Sequence, residues 1–80
     1  MNQLIMFTGS WCANCVTLKT SLEEEGVPYN TVDVDTPEGE ELARKNGIRG
    51  LPTVLVVNNE GEEFRRIVGI QPVSEYRKHV

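Results

Sequence analysis

Cysteine, histidine and tryptophan are scarce in this sequence. Its 80 residues include two cysteines, one histidine and one tryptophan. Small secreted domains usually carry about four to eight cysteines as cross-links, and structural zinc sites and iron–sulfur clusters usually need about four ligands. The composition therefore excludes a disulfide-stapled scaffold and a metal site built by one copy of the chain. We expect no metal and no cofactor, and only a cluster shared between two copies stays open.

Basic residues are also few, and long apolar runs are missing. Eight Lys and Arg against twelve Asp and Glu give a formal net charge of −4. Nucleic-acid binding needs a basic face that neutralises phosphates, which argues against a general nucleic-acid binder. No segment approaches the roughly 18 apolar residues of a membrane span, and no basic stretch precedes an apolar core as in a signal peptide. We therefore expect no nucleic acid and no membrane among the partners, and a cytoplasmic location.

Turn residues and hydrophobic spacing divide the chain into strands and helices. The length of 80 residues predicts one domain over residues 1–80, because so short a chain has no material for a second core. The order of elements is β-α-β-α-β-β-α, which predicts an α/β fold with a four-stranded mixed sheet flanked by three helices. The predicted segments are residues 4–7, 12–25, 29–34, 38–46, 53–57, 64–68 and 73–80.

The spacing of apolar residues also predicts which helix faces are buried. Leu42 and Ala43 are expected to form the buried face of the second helix. In the last helix Val73, Tyr76 and Val80 recur at helical spacing, which predicts that they face the core. The solvent side of that helix is expected to carry Arg77, Lys78 and His79.

The two cysteines stand three residues apart, at the start of the first predicted helix. Residues at i and i+3 share a helix face, at a separation compatible with a disulfide. So short a loop constrains the unfolded chain little, which makes a stapling role weak. Unpaired N–H groups and the helix dipole favour a thiolate at the entrance position. We therefore predict that Cys12 attacks a target disulfide and that Cys15, deeper in the helix, resolves the mixed disulfide.

Two segments next to predicted strands carry a distinctive pattern of residues. The segment Trp11–Cys15 (Trp-Cys-Ala-Asn-Cys) follows a predicted strand, and the segment Gly47–Thr53 (Gly-Ile-Arg-Gly-Leu-Pro-Thr) precedes another. Their places in the strand order match those of the thioredoxin Cys-x-x-Cys pair and proline loop, and the likeness spans nearly the whole chain. The resemblance implies a thioredoxin-like fold and a thiol-disulfide oxidoreductase that reduces protein disulfides.

The resemblance also implies a shallow groove for protein substrates around the cysteines. In that family the peptide bond that corresponds to Leu51-Pro52 is cis. By the same resemblance, the backbone of Leu51 would bond the substrate and Trp11 would shield the reactive sulfur. Gly69 and Ile70 form the neighbouring wall. The groove residues implied in this way are Trp11, Ala13, Asn14, Leu51, Pro52, Gly69 and Ile70.

The sequence departs from thioredoxins at several positions. Thioredoxins typically carry Gly-Pro between the cysteines and a basic residue after them, where this chain has Ala13, Asn14 and Val16. Many thioredoxins bury an Asp where this chain has Met6, so Cys15 must exchange its proton with water or another group. The length is closer to glutaredoxins and to the small redoxins that serve ribonucleotide reductase, which indicates electron donation to that enzyme as a candidate role.

The turn before the last helix bears on the electron donor. Glutaredoxins carry Gly-Gly followed by an acid there, which grips glutathione, whereas this chain has Gly69-Ile70-Gln71-Pro72. Ile70 adds bulk and Pro72 lacks an N–H donor. We therefore expect a monomeric protein that is reduced by a flavoprotein thioredoxin reductase. Two alternatives stay open: a glutathione-dependent glutaredoxin, and a non-catalytic subunit that uses the groove to bind another protein.

Overall fold

The computed structural model describes residues 1–80 and contains the predicted elements in the predicted order. The strands are β1 (Gln3–Thr8), β2 (Asn30–Asp33), β3 (Thr53–Val57) and β4 (Glu63–Val68). The helices are α1 (Ala13–Glu24), α2 (Pro37–Lys45) and α3 (Ser74–Arg77). The predicted α/β fold with a four-stranded mixed sheet and three helices is confirmed. None of the helices is both long and apolar enough to cross a membrane.

The sheet has the strand order β2-β1-β3-β4. β1 pairs in parallel with β2, while β3 is antiparallel to both β1 and β4. The central position of β1 and β3 follows from their near-continuous apolar runs, since a strand covered on both faces has no polar side. The carboxyl end of β1 leads directly into the loop that carries Cys12, so the centre of the sheet positions the cysteine pair.

Each face of the sheet carries its own core. On one face, β1 and β3 pack against α1 and α3, and the other face packs against α2. Each fully buried Leu or Phe contributes about 1.5–3 kcal/mol. The buried residues of the first core are Leu4, Met6, Leu18, Leu22, Val27, Val54, Val56, Ile67 and Tyr76. Those of the second core are Phe7, Leu55 and Val57.

The second helix begins and ends with well-defined capping interactions. The Thr36 hydroxyl accepts the Gly39 N–H at 3.0 Å, which caps the first turn. At the other end the N–H groups of Gly47 and Ile48 donate to carbonyls of the last turn at 3.2 and 2.9 Å, as in a Schellman motif. Gly47 has φ 65°, a conformation that glycine adopts without strain. This ending directs Ile48 onto the second core and starts the loop toward Pro52.

The buried face of α2 differs from the predicted one. Leu42 is 42% exposed, so its assignment to the core is wrong, while Ala43 is half-buried and packs against the second core. The buried residue of α2 is Gly39. A Cβ at Gly39 would lie 1.8 Å from the Asp33 carbonyl oxygen. Because Gly39 has no side chain, the helix approaches the end of β2 through Gly39 and Ala43, and this rotation leaves Leu42 outside.

The last helix also differs from expectation at two positions, one of which is Val80, which was expected to face the core and is 44% exposed. Tyr76 is fully buried and Arg77 and Lys78 are exposed, as predicted, but His79 is partly buried. The His79 ring packs edge-on against Phe64, with ring centroids 6.0 Å apart. Desolvation by burial lowers the pKa of His79 below its usual range. The expectation of a solvated His79 is wrong because β4 lies beside the end of the chain.

We predict that Gly39→Ala destabilises the fold by about 1–3 kcal/mol, because a methyl group cannot fit against the Asp33 carbonyl. An ordinary helix interior would instead gain about 0.5–1 kcal/mol from replacing glycine by alanine. Urea unfolding measures the change. The matched control is Glu41→Ala, an exposed position on the same helix, where we expect a change within about 0.5 kcal/mol. A stabilised Gly39→Ala variant would contradict the close contact.

Candidate functional site

The two cysteines form a disulfide at the amino end of α1. Their Cα atoms lie 5.2 Å apart. Cys12 is the N-cap residue, in an extended conformation, and its Sγ accepts the Cys15 N–H at 3.1 Å. Cys12 is 6% exposed and Cys15 is fully buried. The sulfur at the helix entrance is therefore the one that solvent and partners reach first.

The surroundings of Cys12 favour negative charge on its sulfur. The first turn of α1 contains no acidic residue that would offset the positive end of the helix dipole. The Cys15 N–H that caps the helix through Cys12 Sγ would also donate to a thiolate at that atom. A reduced Cys12 would therefore keep a backbone N–H directed at its sulfur.

A carboxylate from the loop after β2 holds the loop before Cys12 in place. The Asp35 Oδ2 atom accepts the Ser10 N–H at 2.9 Å and the Ser10 hydroxyl at 2.8 Å. Asp35 is itself oriented by its N–H, which donates to Asp33 Oδ1 at 2.8 Å. The hydrogen bonds from Ser10, the backbone N–H first, hold the pKa of Asp35 below its usual range.

No motif marks Ser10 or Asp35 in the sequence, and sequence reasoning missed both. Their proximity follows from strand pairing, because β1 and β2 are parallel with Thr8 opposite Asp33. Parallel strands end at the same edge of the sheet, so the loops that follow them meet. A search for polar residues just beyond both strands would have found this pair.

The Trp11 indole projects from the protein and packs over the loop. Trp11 is 70% exposed, and two atoms of its ring lie 3.2 Å from where a Gly9 side chain would begin. Leu51 contacts the same point of Gly9 at 3.2 Å. Trp11 and Leu51 border a small apolar cavity of about 190 Å³ that reaches Ile48. Trp11 and the proline loop therefore form one continuous surface, and shielding of the sulfur by Trp11 stays a prediction.

The proline loop and the loop after β4 are joined by a backbone bond. The Leu51-Pro52 peptide is cis, as predicted, and Pro52 is buried. The Pro52 carbonyl accepts the Gly69 N–H at 2.9 Å. Leu51 is half-buried and Ile70 is 42% exposed, and neither uses its backbone N–H or C=O in a hydrogen bond within the protein.

The remaining groove positions lie on the first turn of α1. Ala13 and Asn14 are exposed between the two cysteines, and Val16 is exposed beyond them. Ala13 is the first residue of α1, and its carbonyl accepts the Thr17 hydroxyl at 3.3 Å. These residues form the helical border of the disulfide.

The interior beneath the site carries no carboxyl group. Met6 is fully buried, and the buried polar side chains of the protein are those of Thr8 and Thr53. The Thr8 hydroxyl lies at the end of β1 without a hydrogen-bond partner. No group of three or more His, Cys, Asp or Glu side chains is placed to hold a metal ion. The proton of Cys15 therefore has no buried acid to receive it.

A helix-capping disulfide lies where a parallel βαβ unit meets the proline loop, an arrangement suited to thiol-disulfide exchange. The sequence of residues 2–80 matches the family model of the thioredoxin-like domain. The chain belongs to the thioredoxin-like family, and its Cys12–Cys15 pair supports a thiol-disulfide redox function in general terms.

Individual relatives agree with this assignment. An NADPH-dependent thioredoxin reductase 3 of Arabidopsis thaliana is 35% identical over 81 residues, which cover 96% of this chain and 15% of that protein. A prophage-derived thioredoxin-like protein of Bacillus subtilis is 33% identical, over 76% of this chain and 74% of its own length. The solution structure of a thioredoxin from Thermus thermophilus matches with TM-score 0.77 and 34% identity, over 96% of this chain and 68% of that chain.

We predict that Asp35→Asn lowers stability at neutral pH and that this difference disappears in acid. The pKa of Asp35 is lowered in the folded protein, so its contribution is complete above the unfolded value of about 3.9 and is lost as pH falls below it. Thermal unfolding between about pH 7 and pH 3 measures the difference. Glu41→Gln, which removes a carboxylate without hydrogen-bond partners, is the control. If the stability difference between Asp35→Asn and wild type is the same at every pH, the ionised Asp35 carboxylate does not stabilise the loop through Ser10.

Proposed function

We propose that this protein reduces disulfide bonds of other proteins through the dithiol of Cys12 and Cys15. The observation that carries the proposal is the asymmetry of the pair at the entrance of α1. Cys12 accepts a backbone N–H at the end of the helix nearest solvent, while Cys15 is fully buried one turn further in. Such an arrangement separates an attacking sulfur from a resolving one.

The reaction transfers two electrons in two exchange steps. The Cys12 thiolate attacks one sulfur of the target disulfide, so a bond from Cys12 to that sulfur forms while the target S–S bond breaks. The released target thiolate takes a proton from solvent. Cys15 then loses its proton to water and attacks Cys12 Sγ, which forms the Cys12–Cys15 disulfide and releases the second target thiolate. The target gains two electrons and two protons, and the protein is left oxidised.

The shape of the surface around the pair supports protein rather than small-molecule substrates. Trp11, Val16 and Ile70 leave apolar side chains exposed there. The unpaired N–H and C=O groups of Leu51 and Ile70 can bond an extended polypeptide, as an added strand does at a sheet edge. An open surface with free backbone groups accommodates many sequences, because it reads the main chain of the partner.

We further propose that a flavoprotein thioredoxin reductase supplies the electrons. The Gln71 N–H is engaged inside the protein and Pro72 has none, so this loop offers few donors to the carboxylates of glutathione. One relative is by name an NADPH-dependent thioredoxin reductase, and this chain resembles a part of it. The proposal includes action as a monomer in a reducing compartment such as the cytoplasm, with ribonucleotide reductase as one candidate substrate to test.

We predict that Cys15→Ser traps protein substrates as mixed disulfides, because Cys12 can attack while nothing resolves the product. Cys12→Ser should trap none. Non-reducing gel electrophoresis after incubation with a disulfide-bonded peptide measures both variants. The reverse pattern would exchange the two roles. A double serine variant that keeps the biological activity would favour the non-catalytic binding subunit.

For the electron donor, we expect the oxidised protein to be reduced faster by NADPH with a thioredoxin reductase than by glutathione with glutathione reductase. NADPH consumption in the two coupled systems, with the same peptide disulfide as final acceptor, measures the preference. The double serine variant is the blank for both systems. Faster turnover with glutathione would overturn the proposed donor and leave the dithiol mechanism standing.

A further inference from the structure

Tyr76 connects the core to the wall of the groove. Its side chain is fully buried and is among the largest in the first core. Its hydroxyl donates to the Gly69 carbonyl at 3.1 Å and accepts the Gln71 N–H at 3.2 Å. A buried phenol needs hydrogen-bond partners, and here both partners belong to the loop after β4.

The two hydrogen bonds bracket Ile70. Gly69 is held at both ends, since its N–H donates to the Pro52 carbonyl and its own carbonyl accepts from Tyr76. Gln71 is held through its N–H. Ile70 lies between them with its N–H and C=O unused and its side chain partly exposed. The loop is thus fixed on either side of Ile70, whose own N–H and C=O are free.

The same bonds remove a donor that an anion would need. A carboxylate bound at this loop would require free N–H groups at successive positions. The Gln71 N–H is engaged by Tyr76, and Pro72 has no N–H. The loop therefore offers backbone groups to an extended chain and withholds them from a small anionic thiol.

We propose that Tyr76 is a positioning residue that selects polypeptide disulfides over glutathione. It acts by holding the 69–71 loop so that Ile70 can pair with the main chain of the substrate, and by occupying the Gln71 N–H. This inference rests on the proposed reduction of protein disulfides. The spacing of apolar residues indicates only that Tyr76 is a core residue, whereas the proposed positioning role depends on its hydroxyl.

The state of the hydroxyl fits this role. Burial raises the pKa of Tyr76 above its usual value. The phenol therefore keeps its proton at the pH values where thiols exchange, and it remains a donor to the Gly69 carbonyl throughout.

The test compares Tyr76→Phe with Tyr29→Phe. Tyr29→Phe also removes only a hydroxyl, which in the wild type donates to Glu23 at the surface. Tyr29 lies beside Leu4, at the opposite end of β1 from the cysteines. For a peptide carrying one disulfide, we expect Tyr76→Phe to lower kcat/KM by about tenfold, mostly through KM. For a small aromatic disulfide it should change kcat/KM by less than about twofold. Tyr29→Phe should match wild type on both substrates.

Two further measurements separate positioning from a general loss of structure. Amide hydrogen exchange should become faster at Gln71 in Tyr76→Phe, while Gly69 stays protected by its bond to Pro52. Reduction of the oxidised variant by glutathione should become faster than that of wild type. If Tyr76→Phe does not fold, the mixed disulfide of Cys15→Ser with the peptide gives the answer, since exchange at the Ile70 amide should slow relative to the free variant.

The outcomes distinguish the two proposals. A wild-type protein that reduces neither disulfide overturns the proposed function and the role of Tyr76 with it. A wild-type protein that reduces both, with Tyr76→Phe equally active on the peptide or equally impaired on both substrates, overturns only the role of Tyr76. Unchanged exchange at Ile70 in the mixed disulfide would also overturn it.

Discussion

The hydrogen bond from the Cys15 N–H to Cys12 Sγ is the constraint on which the site depends. It satisfies one of the open N–H donors of α1 with the sulfur atom that we propose as the attacking group. Sulfur is a weaker acceptor than the oxygen of a Ser or Asp cap. The helix compensates through packing, with Cys15, Leu18 and Leu22 buried at successive turns against the sheet. The reactive end of α1 is therefore held in place mainly by its apolar face.

The strands bring the remaining parts to that helix end. Parallel pairing of β1 with β2 places Asp35 beside Ser10, and antiparallel pairing of β1 with β3 places Pro52 at the same edge. Two layers of control result. On the β2 side, the Asp35 carboxylate fixes the loop before Cys12. On the β3 side, the hydrogen bond between Gly69 and Pro52 joins the two walls of the groove. The disulfide lies between them.

Much of this arrangement could be predicted from sequence, because it depends on local chemistry. The apolar runs, the residues that end helices and the spacing of Cys12 and Cys15 are local signals, and the family resemblance added the cis bond at Pro52. The features that were not predicted depend on contacts between distant segments. The exposure of Leu42 follows from the approach of Gly39 to β2, and the burial of His79 follows from its contact with Phe64. Apolar periodicity indicates that a residue is inside, but it does not say which polar groups that residue will meet.

The capped ends of α2 have a consequence for how the groove can change. The helix runs for nine residues between the Thr36 cap and the turn that places Ile48 in the second core. Each residue added to a helix advances it by about 1.5 Å and rotates it by about 100°. Because both ends of α2 are anchored, the length of α2 sets the position and the direction from which the proline loop starts. One inserted or deleted residue in α2 would rotate Ile48 away from the second core. It would also displace Leu51 relative to Cys12. Variation in this part of the protein should therefore take the form of substitutions on the exposed side of α2, with its length kept constant.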